Sequence, residues 1–183
     1  MPAVPLRVAR AAAQADLADA LGALRRELEL PSGFPAAVEG EAERAVAAYE
    51  PPDLDLTELG FVTIDPEGAT DLDQALAIEP DGAGWRVFYA IADLPGFAAP
   101  GGEIDAEARA RGTTLYAADG RIPLHPVAIS EDAASLLPDV DRGAYVWEFS
   151  LDAAGHATST RVRRARIRSR RQWSYADAQD AVA

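Results

Sequence analysis

FVTIDPEGATDLDQALAIEPDGAGWRVFYAIADL, residues 61–94, decides how the rest of the chain is read. Short, predominantly apolar runs over Phe61–Ile64, Ala75–Ile78 and Trp85–Ile91, bounded by turn residues, read as strands. Pro80, Asp81, Gly82 and Gly84 stand between the last two runs and predict the turn of a hairpin. Pro66 and Gly68 predict a second turn, with Asp65 on one side of it and Asp71 and Asp73 on the other. In an extended chain residues 71 and 73 point the same way, because side chains alternate. A turn that folds back brings Asp65 to them.

Upstream, Leu17, Leu21, Leu24 and Leu28 fall at helical spacing within a helix expected from about Ala9 to Leu30, and PSGFP at 31–35 stops it. A second helix is predicted from Ala36 to Tyr49. Both are alanine-rich and are expected to form a hairpin that packs on the main body. Pro51 and Pro52 mark a boundary, so residues 1–50 read as a helical extension and 51–183 as the main unit. Downstream, Gly101 and Gly102 open a helix over residues 104–111 that Gly112 ends, and Ser130 before Glu131 and Asp132 predicts the start of another. Strands are expected over Tyr145–Leu151 and Thr158–Ser169, joined across Ala153–His156, and Ser174 with Asp177 has the spacing of a capping box. Hairpins in place of long crossovers predict an α+β fold: a mixed, mainly antiparallel sheet with flanking helices and a helical N-terminal preface.

Thirty acidic residues against seventeen basic ones give a net charge of -13, which repels polyanions at long range. Residues 161–171, RVRRARIRSRR, depart from that average with seven arginines and no acid. Arg161, Arg163 and Arg171 share one face of the expected strand, and Arg164, Arg166, Arg168 and Arg170 the other. Such a run can track a phosphate backbone, or compensate the acidic surface around it. Every basic side chain is arginine, the residue suited to bidentate phosphate contact. The absence of cysteine excludes disulfides, thiolate metal sites and cysteine nucleophiles. No apolar run of signal-peptide or membrane-span type occurs, and a cytoplasmic location with no membrane partner is expected.

Three converging carboxylates repel one another unless a hard cation lies among them, and oxygen-only ligands suit Mg2+, with Mn2+ as its substitute. Such ions activate water and stabilise a leaving oxygen in phosphodiester cleavage. A D-x-D beside a turn also fits solvated surface or a helix cap, and spacing alone does not choose. A calcium loop is excluded, since counting from Asp71 gives neither glycine at the sixth place nor glutamate at the twelfth. His125 and His156 lack a partner at metal or triad spacing. Trp85, Trp147 and Trp173 are expected to pack in the core.

The run TIDPEGATDLDQAL resembles the signature of the ribonuclease II / ribonuclease R (RNB) catalytic domain, in which four aspartates are spaced D-x5-D-x-D-D. The resemblance continues in order through YAIADL at 89–94, residues 100–116, RIPLHP at 121–126, ASLLPDVDR at 134–142 and RIRSRRQWSYADAQ at 166–179, so that it covers about Asp53 onward. It implies an enzyme that hydrolyses single-stranded RNA from the 3′ end to nucleoside monophosphates with Mg2+ and without a nucleotide cofactor. By position it implies that Asp65, Asp71 and Asp73 are catalytic and metal-binding, with Asp73 foremost. Gln74 stands at the fourth place and is expected to offer a carbonyl oxygen to metal, as in a shorter subgroup without cold-shock domains. Tyr116 matches an aromatic that stacks on bases, and Arg164, Arg166 and Arg168 are the arginines expected to meet RNA. The family's histidine three residues before Asp93 is Ala90 here. The family domain is about half complete at residue 183, lacking a later arginine-bearing motif, so a partner in the C-terminal half is implied and the chain alone is expected to be weak or inactive. A truncated or degenerate module that binds RNA or protein without catalysis is the alternative. A nucleotide-sugar glycosyltransferase would also use a D-x-D, but leaves the downstream matches unexplained.

Overall fold

The computed structural model describes residues 11–182. Helix α1 (Ala11–Glu27) and helix α2 (Ala36–Ala48) precede strand β1 (Phe61–Ile64), strand β2 (Gln74–Asp81) and strand β3 (Gly84–Ala92). Helix α3 (Glu103–Arg111), a small hairpin of β4 (Leu115–Ala117) and β5 (Gly120–Ile122), and a π-helical turn (Ala128–Ala133) follow. Strands β6 (Asp141–Leu151) and β7 (Ala157–Trp173) and helix α4 (Tyr175–Val182) end the described chain. The expected helical start at Ala9 lies outside the described residues.

Five strands close into a barrel in the order β1-β2-β3-β6-β7. Every pairing is antiparallel except β1 with β7, the parallel contact that shuts the barrel. The α+β expectation therefore holds, with closure added. Phe61, Ala75, Ala77, Phe88, Ala90, Ala144, Val146, Ala165 and Ile167 point inward and are buried. A five-stranded barrel has a narrow lumen, and alanines around two edge-to-face phenylalanines, Phe61 and Phe88 at 6.4 Å, fill it. That narrowness overturns the core role expected of the tryptophans: Trp85 is exposed, and Trp147 and Trp173 are only partly buried.

Differences elsewhere have equally local causes. Pro80, Asp81 and Gly84 belong to strands, and the β2–β3 turn is the two-residue Gly82–Ala83, with Asp81 paired to Gly84. Ser130 sits within the π-helical turn, where it donates back toward the carbonyls of His125 and Pro126 instead of capping a helix. The Ser174–Asp177 box forms as expected, each residue's side chain meeting the other's backbone N–H at 3.1 Å.

Two ends of the barrel differ in character. At the end holding the β2–β3 and β6–β7 turns, inward-facing Glu148 accepts a forked pair from Arg161 at 2.7 and 2.8 Å and a third hydrogen bond from Arg163 at 2.8 Å. Arg86 stands 3.9 Å away and also pairs with Glu79. These charges plug the lumen. On the outer face, the backbones of Leu54 and Leu56 pair with Arg166, laying residues 54–56 along β7.

Helix α2 packs through Val38 and Ala42 against Phe97, Ile104 and Ile129. Its end is tied to the barrel by Tyr49, whose hydroxyl donates to buried Asp93 at 2.8 Å. Gly143 passes so close that a Cβ there would overlap the Tyr49 hydroxyl. Helix α1 does not bury its leucine stripe: Leu17, Leu24 and Leu28 are exposed. It is held instead by a forked pair from Arg25 to Asp119 in the β4–β5 turn, at 2.6 and 2.8 Å.

Candidate functional site

The opposite end of the barrel carries the acidic motif. Asp65 follows β1, its N–H donating to the Trp173 carbonyl at 3.0 Å. The chain then turns through Pro66–Ala69, where Gly68 has φ +80, a conformation that a Cβ strains. Gln172 fixes the turn by donating to the carbonyls of Pro66 and Ala69 at 3.3 and 3.2 Å. Leu72 is fully buried and acts as the peg of the following loop. Its N–H donates to Ser135 Oγ at 3.0 Å, its carbonyl accepts from Leu136 N–H at 2.8 Å, and Ser135 Oγ donates to the Thr70 carbonyl at 2.7 Å. With Leu72 driven inward, alternation turns Asp71 and Asp73 outward together. The Asp73 carbonyl accepts from Ala92 N–H at 2.9 Å, which joins the motif to the YAIADL strand.

Asp65 feels the charge of both other aspartates, and Asp73 that of Asp71. Burial pushes the Asp65 carboxyl up from its ordinary value, and Asp73 and then Asp71 push it further. Asp73 is also raised, first by surrounding protein mass and then by the field of Asp71, against hydrogen bonds from its own backbone and Gln74 that favour the ion. Asp73 nonetheless remains exposed to water. No charge within hydrogen-bond reach neutralises Asp65 or Asp73 among the described residues, in contrast with the plug around Glu148.

Convergence is incomplete. Among the described residues no three His, Cys, Asp or Glu side chains close on one point as a finished metal cage. Asp71 leans toward Arg121, whose Nη1 lies 2.8 Å from its Oδ2. Asp71 and Asp73 line a cavity of about 280 Å³ together with Tyr116, Arg121, His125 and Glu131. Asp65 lines a separate shallow depression with Glu67, Gln172 and Asp177. The donor set still fits a hard divalent ion: all-oxygen, negatively charged, mutually repelling, and open to water on one side.

Tyr116 stands on β4 at the rim of the cavity, 73% exposed, with its hydroxyl 3.5 Å from Asp71. Gln74 begins β2, and its side-chain carbonyl accepts a hydrogen bond from the Tyr89 hydroxyl across the β2–β3 pair. The arginines expected to meet RNA sit on the outer barrel wall, and each answers an acid. Arg164 pairs with Asp93 at 2.6 Å, Arg166 with Asp55 at 2.6 Å, and Arg168 with Asp141 at 2.6 Å. Burial holds the His125 imidazole below its ordinary value, and its Nδ1 has no hydrogen-bond partner. His156 is exposed in the β6–β7 turn beside Asp152.

Sequence reasoning did not single out Arg121, Glu131, Thr70 or Ser135. Arg121 and Ser135 are 50 and 64 residues from Asp71 in the chain, and no periodicity links them. Only the order of the RIPLHP and ASLLPDVDR stretches hinted that these segments belong to the site.

Comparison with known proteins agrees with this geometry. The RNB domain model matches residues 54–183. Ribonuclease R of Escherichia coli is 36% identical over 155 residues, covering 82% of this chain and 19% of that protein. An Arabidopsis thaliana protein named inactive exonuclease DIS3L2 is 39% identical over 129 residues, 70% of this chain and 12% of its own. Among solved structures, Mycoplasma genitalium RNase R in complex with double-stranded RNA superposes with a TM-score of 0.78 at 27% identity, over 89% of this chain and 30% of that one. The same enzyme with ribose-methylated single-stranded RNA gives 0.72 at 27% identity, over 79% and 24%. The chain thus spans less than a third of the length of these relatives. The match of the RNB domain model over residues 54–183, with these relatives beside it, establishes that the chain belongs to the RNB-domain family of exoribonucleases.

Proposed function

We propose that this chain forms the metal-bearing part of a 3′ to 5′ exoribonuclease that hydrolyses single-stranded RNA to nucleoside monophosphates. The observation that carries this is the pair Asp71 and Asp73, turned together into one cavity beside exposed Tyr116 by the buried Leu72 peg, with Asp65 in a separate depression and its carboxyl pushed up by both aspartates. Asp65, Asp71 and Asp73 would hold Mg2+, with the Gln74 carbonyl as a neutral additional donor. The ion supplies Lewis-acid charge and an activated water for attack on the phosphodiester. The chain's own residues do the rest: Leu72 and Ser135 fix the direction of the two outer carboxylates, and Tyr116 offers a ring on which a base stacks irrespective of sequence. An RNA contact by Arg164, Arg166 or Arg168 would use the guanidinium edges left outside their ion pairs.

Phosphoryl chemistry also needs positioned positive charge. Arg121, near the aspartates, is engaged by Asp71 and Glu131. Catalysis is accordingly assigned to the chain together with the C-terminal half of the domain, and the chain alone is expected to turn over little or no RNA. The test is 5′-labelled single-stranded RNA with Mg2+, using the chain alone and with a supplied C-terminal half. Stepwise shortening from the 3′ end with the half present, abolished by Asp73→Asn, is the expected result. Turnover that survives Asp73→Asn would overturn the assignment.

A non-catalytic RNA-binding or protein-interaction module is the second reading, favoured by Gln74 in place of a fourth carboxylate and by its engagement with Tyr89. RNA retention without shortening, with the half present, would select it.

A further inference from the structure

The β4–β5 hairpin lies outside the barrel and delivers two side chains to one aspartate. Arg121 on β5 spans two acids: Nη1 stands 2.8 Å from Asp71 Oδ2, and Nη2 stands 2.7 Å from Glu131 Oε2. Thr70, the residue before Asp71, donates to the same Glu131 oxygen at 2.7 Å, which fixes Glu131 beside the aspartate loop. Asp71 is the one member of the aspartate trio with a cation in contact. Asp65 and Asp73 have none among the described residues, and the three do not close on a common point.

We propose that Arg121 is a displaceable internal counter-ion that sets the affinity of the aspartates for a divalent cation. It rests on the metal-binding reading above and adds the group that opposes it. A guanidinium on Asp71 lowers the negative potential of the cleft and draws one ligand out of position, and a doubly charged ion arriving there meets like charge. Glu131 is the second seat: when Asp71 turns to a metal, Arg121 keeps one carboxylate and remains at the cavity wall. The hairpin that bears Arg121 is also gripped through Asp119 by Arg25 of α1, so the latch is anchored from both sides.

The test is Mn2+ binding to the purified chain without RNA, followed by loss of the free-ion electron paramagnetic resonance signal. Arg121→Met and Arg121→Gln, both neutral, should each bind Mn2+ about tenfold more tightly than wild type. Arg121→Lys, which keeps the charge, should stay within about threefold. Tighter binding in both neutral variants, abolished by adding Asp73→Asn, is the expected result. If wild type binds Mn2+ through Asp73 but the neutral variants bind equally or more weakly, Arg121 is a structural clamp; the inference fails and the metal reading stands. If neither wild type nor either neutral variant binds, both fall.

Discussion

The two ends of the barrel use carboxylates in opposite ways. At the turn-bearing end, Glu148 is buried, and its hydrogen bonds from Arg161, with Arg163 beside them, hold its carboxyl below the ordinary value. At the other end, burial raises Asp65 and Asp73, with Asp73 and Asp71 adding to the first and Asp71 to the second, and of the three aspartates Arg121 reaches only Asp71. Both ends close the same alanine-lined lumen, so fold stability does not require the acidic end to be unpaired. Where charges are needed only to plug the barrel, they are matched. Where they are left unmatched, the folded chain bears a repulsion that, on the proposed reading, a divalent cation would relieve.

The largest effect that sharpens this contrast is expected at the plug. Glu148→Ala strands Arg161 and Arg163 at the lumen mouth and should destabilise the chain by about 2 kcal/mol in denaturant titration. This is less than a fully buried pair would lose, because Arg161 keeps water. Mn2+ affinity of the folded fraction should be unchanged; a parallel loss would break the separation between the ends. Next comes Ser135→Ala, which removes both hydrogen bonds that hold the aspartate loop. About 1–2 kcal/mol is expected, together with weakened Mn2+ binding, since Asp71 and Asp73 lose their shared direction. Loss of stability with full Mn2+ affinity would show that the Leu72 peg suffices.

The smallest effect is in pH dependence, where the signs differ between ends. Asp65 and Asp73 titrate above their unfolded value of 3.8, so their stabilising share is full below that value and is lost as pH rises through the folded values. Glu148 titrates below its unfolded value of 4.5, so its share is present above that value and is lost as pH falls through the folded one. Melting temperatures followed from about pH 3 to 7 should show the acid-side loss softened in Glu148→Gln. Asp73→Asn should instead soften the decline on the neutral side, raising the metal-free melting temperature by on the order of 1 °C. A fall at neutral pH in Asp73→Asn would contradict the repulsion at the acidic end.

The contrast also separates what the sequence made legible from what it did not. The outward pairing of Asp71 and Asp73 follows from alternation, strand β1 from its short apolar run before Pro66, and the capping of α4 from Ser174 and Asp177. Barrel closure was not legible, because the parallel β1–β7 contact joins segments more than a hundred residues apart. The β4–β5 hairpin was also missed, its strands being three residues each, too short to show alternation. With it went Arg121, whose partners become neighbours only in the fold. The arginine run of β7 reads as a phosphate track in sequence, yet the acids that answer Arg164, Arg166 and Arg168 lie 27 to 111 residues away.

The most direct test of a cation-holding barrel end is the melting temperature of wild type, Arg121→Met, Asp73→Asn and Glu148→Gln at neutral pH as Mn2+ is added. Ligand that binds only the folded state raises the melting temperature with concentration. A saturable rise is expected in wild type and in Glu148→Gln, and none in Asp73→Asn. An equal rise in Asp73→Asn, or no rise in either wild type or Arg121→Met, would contradict the assignment of the unmatched aspartates to a metal.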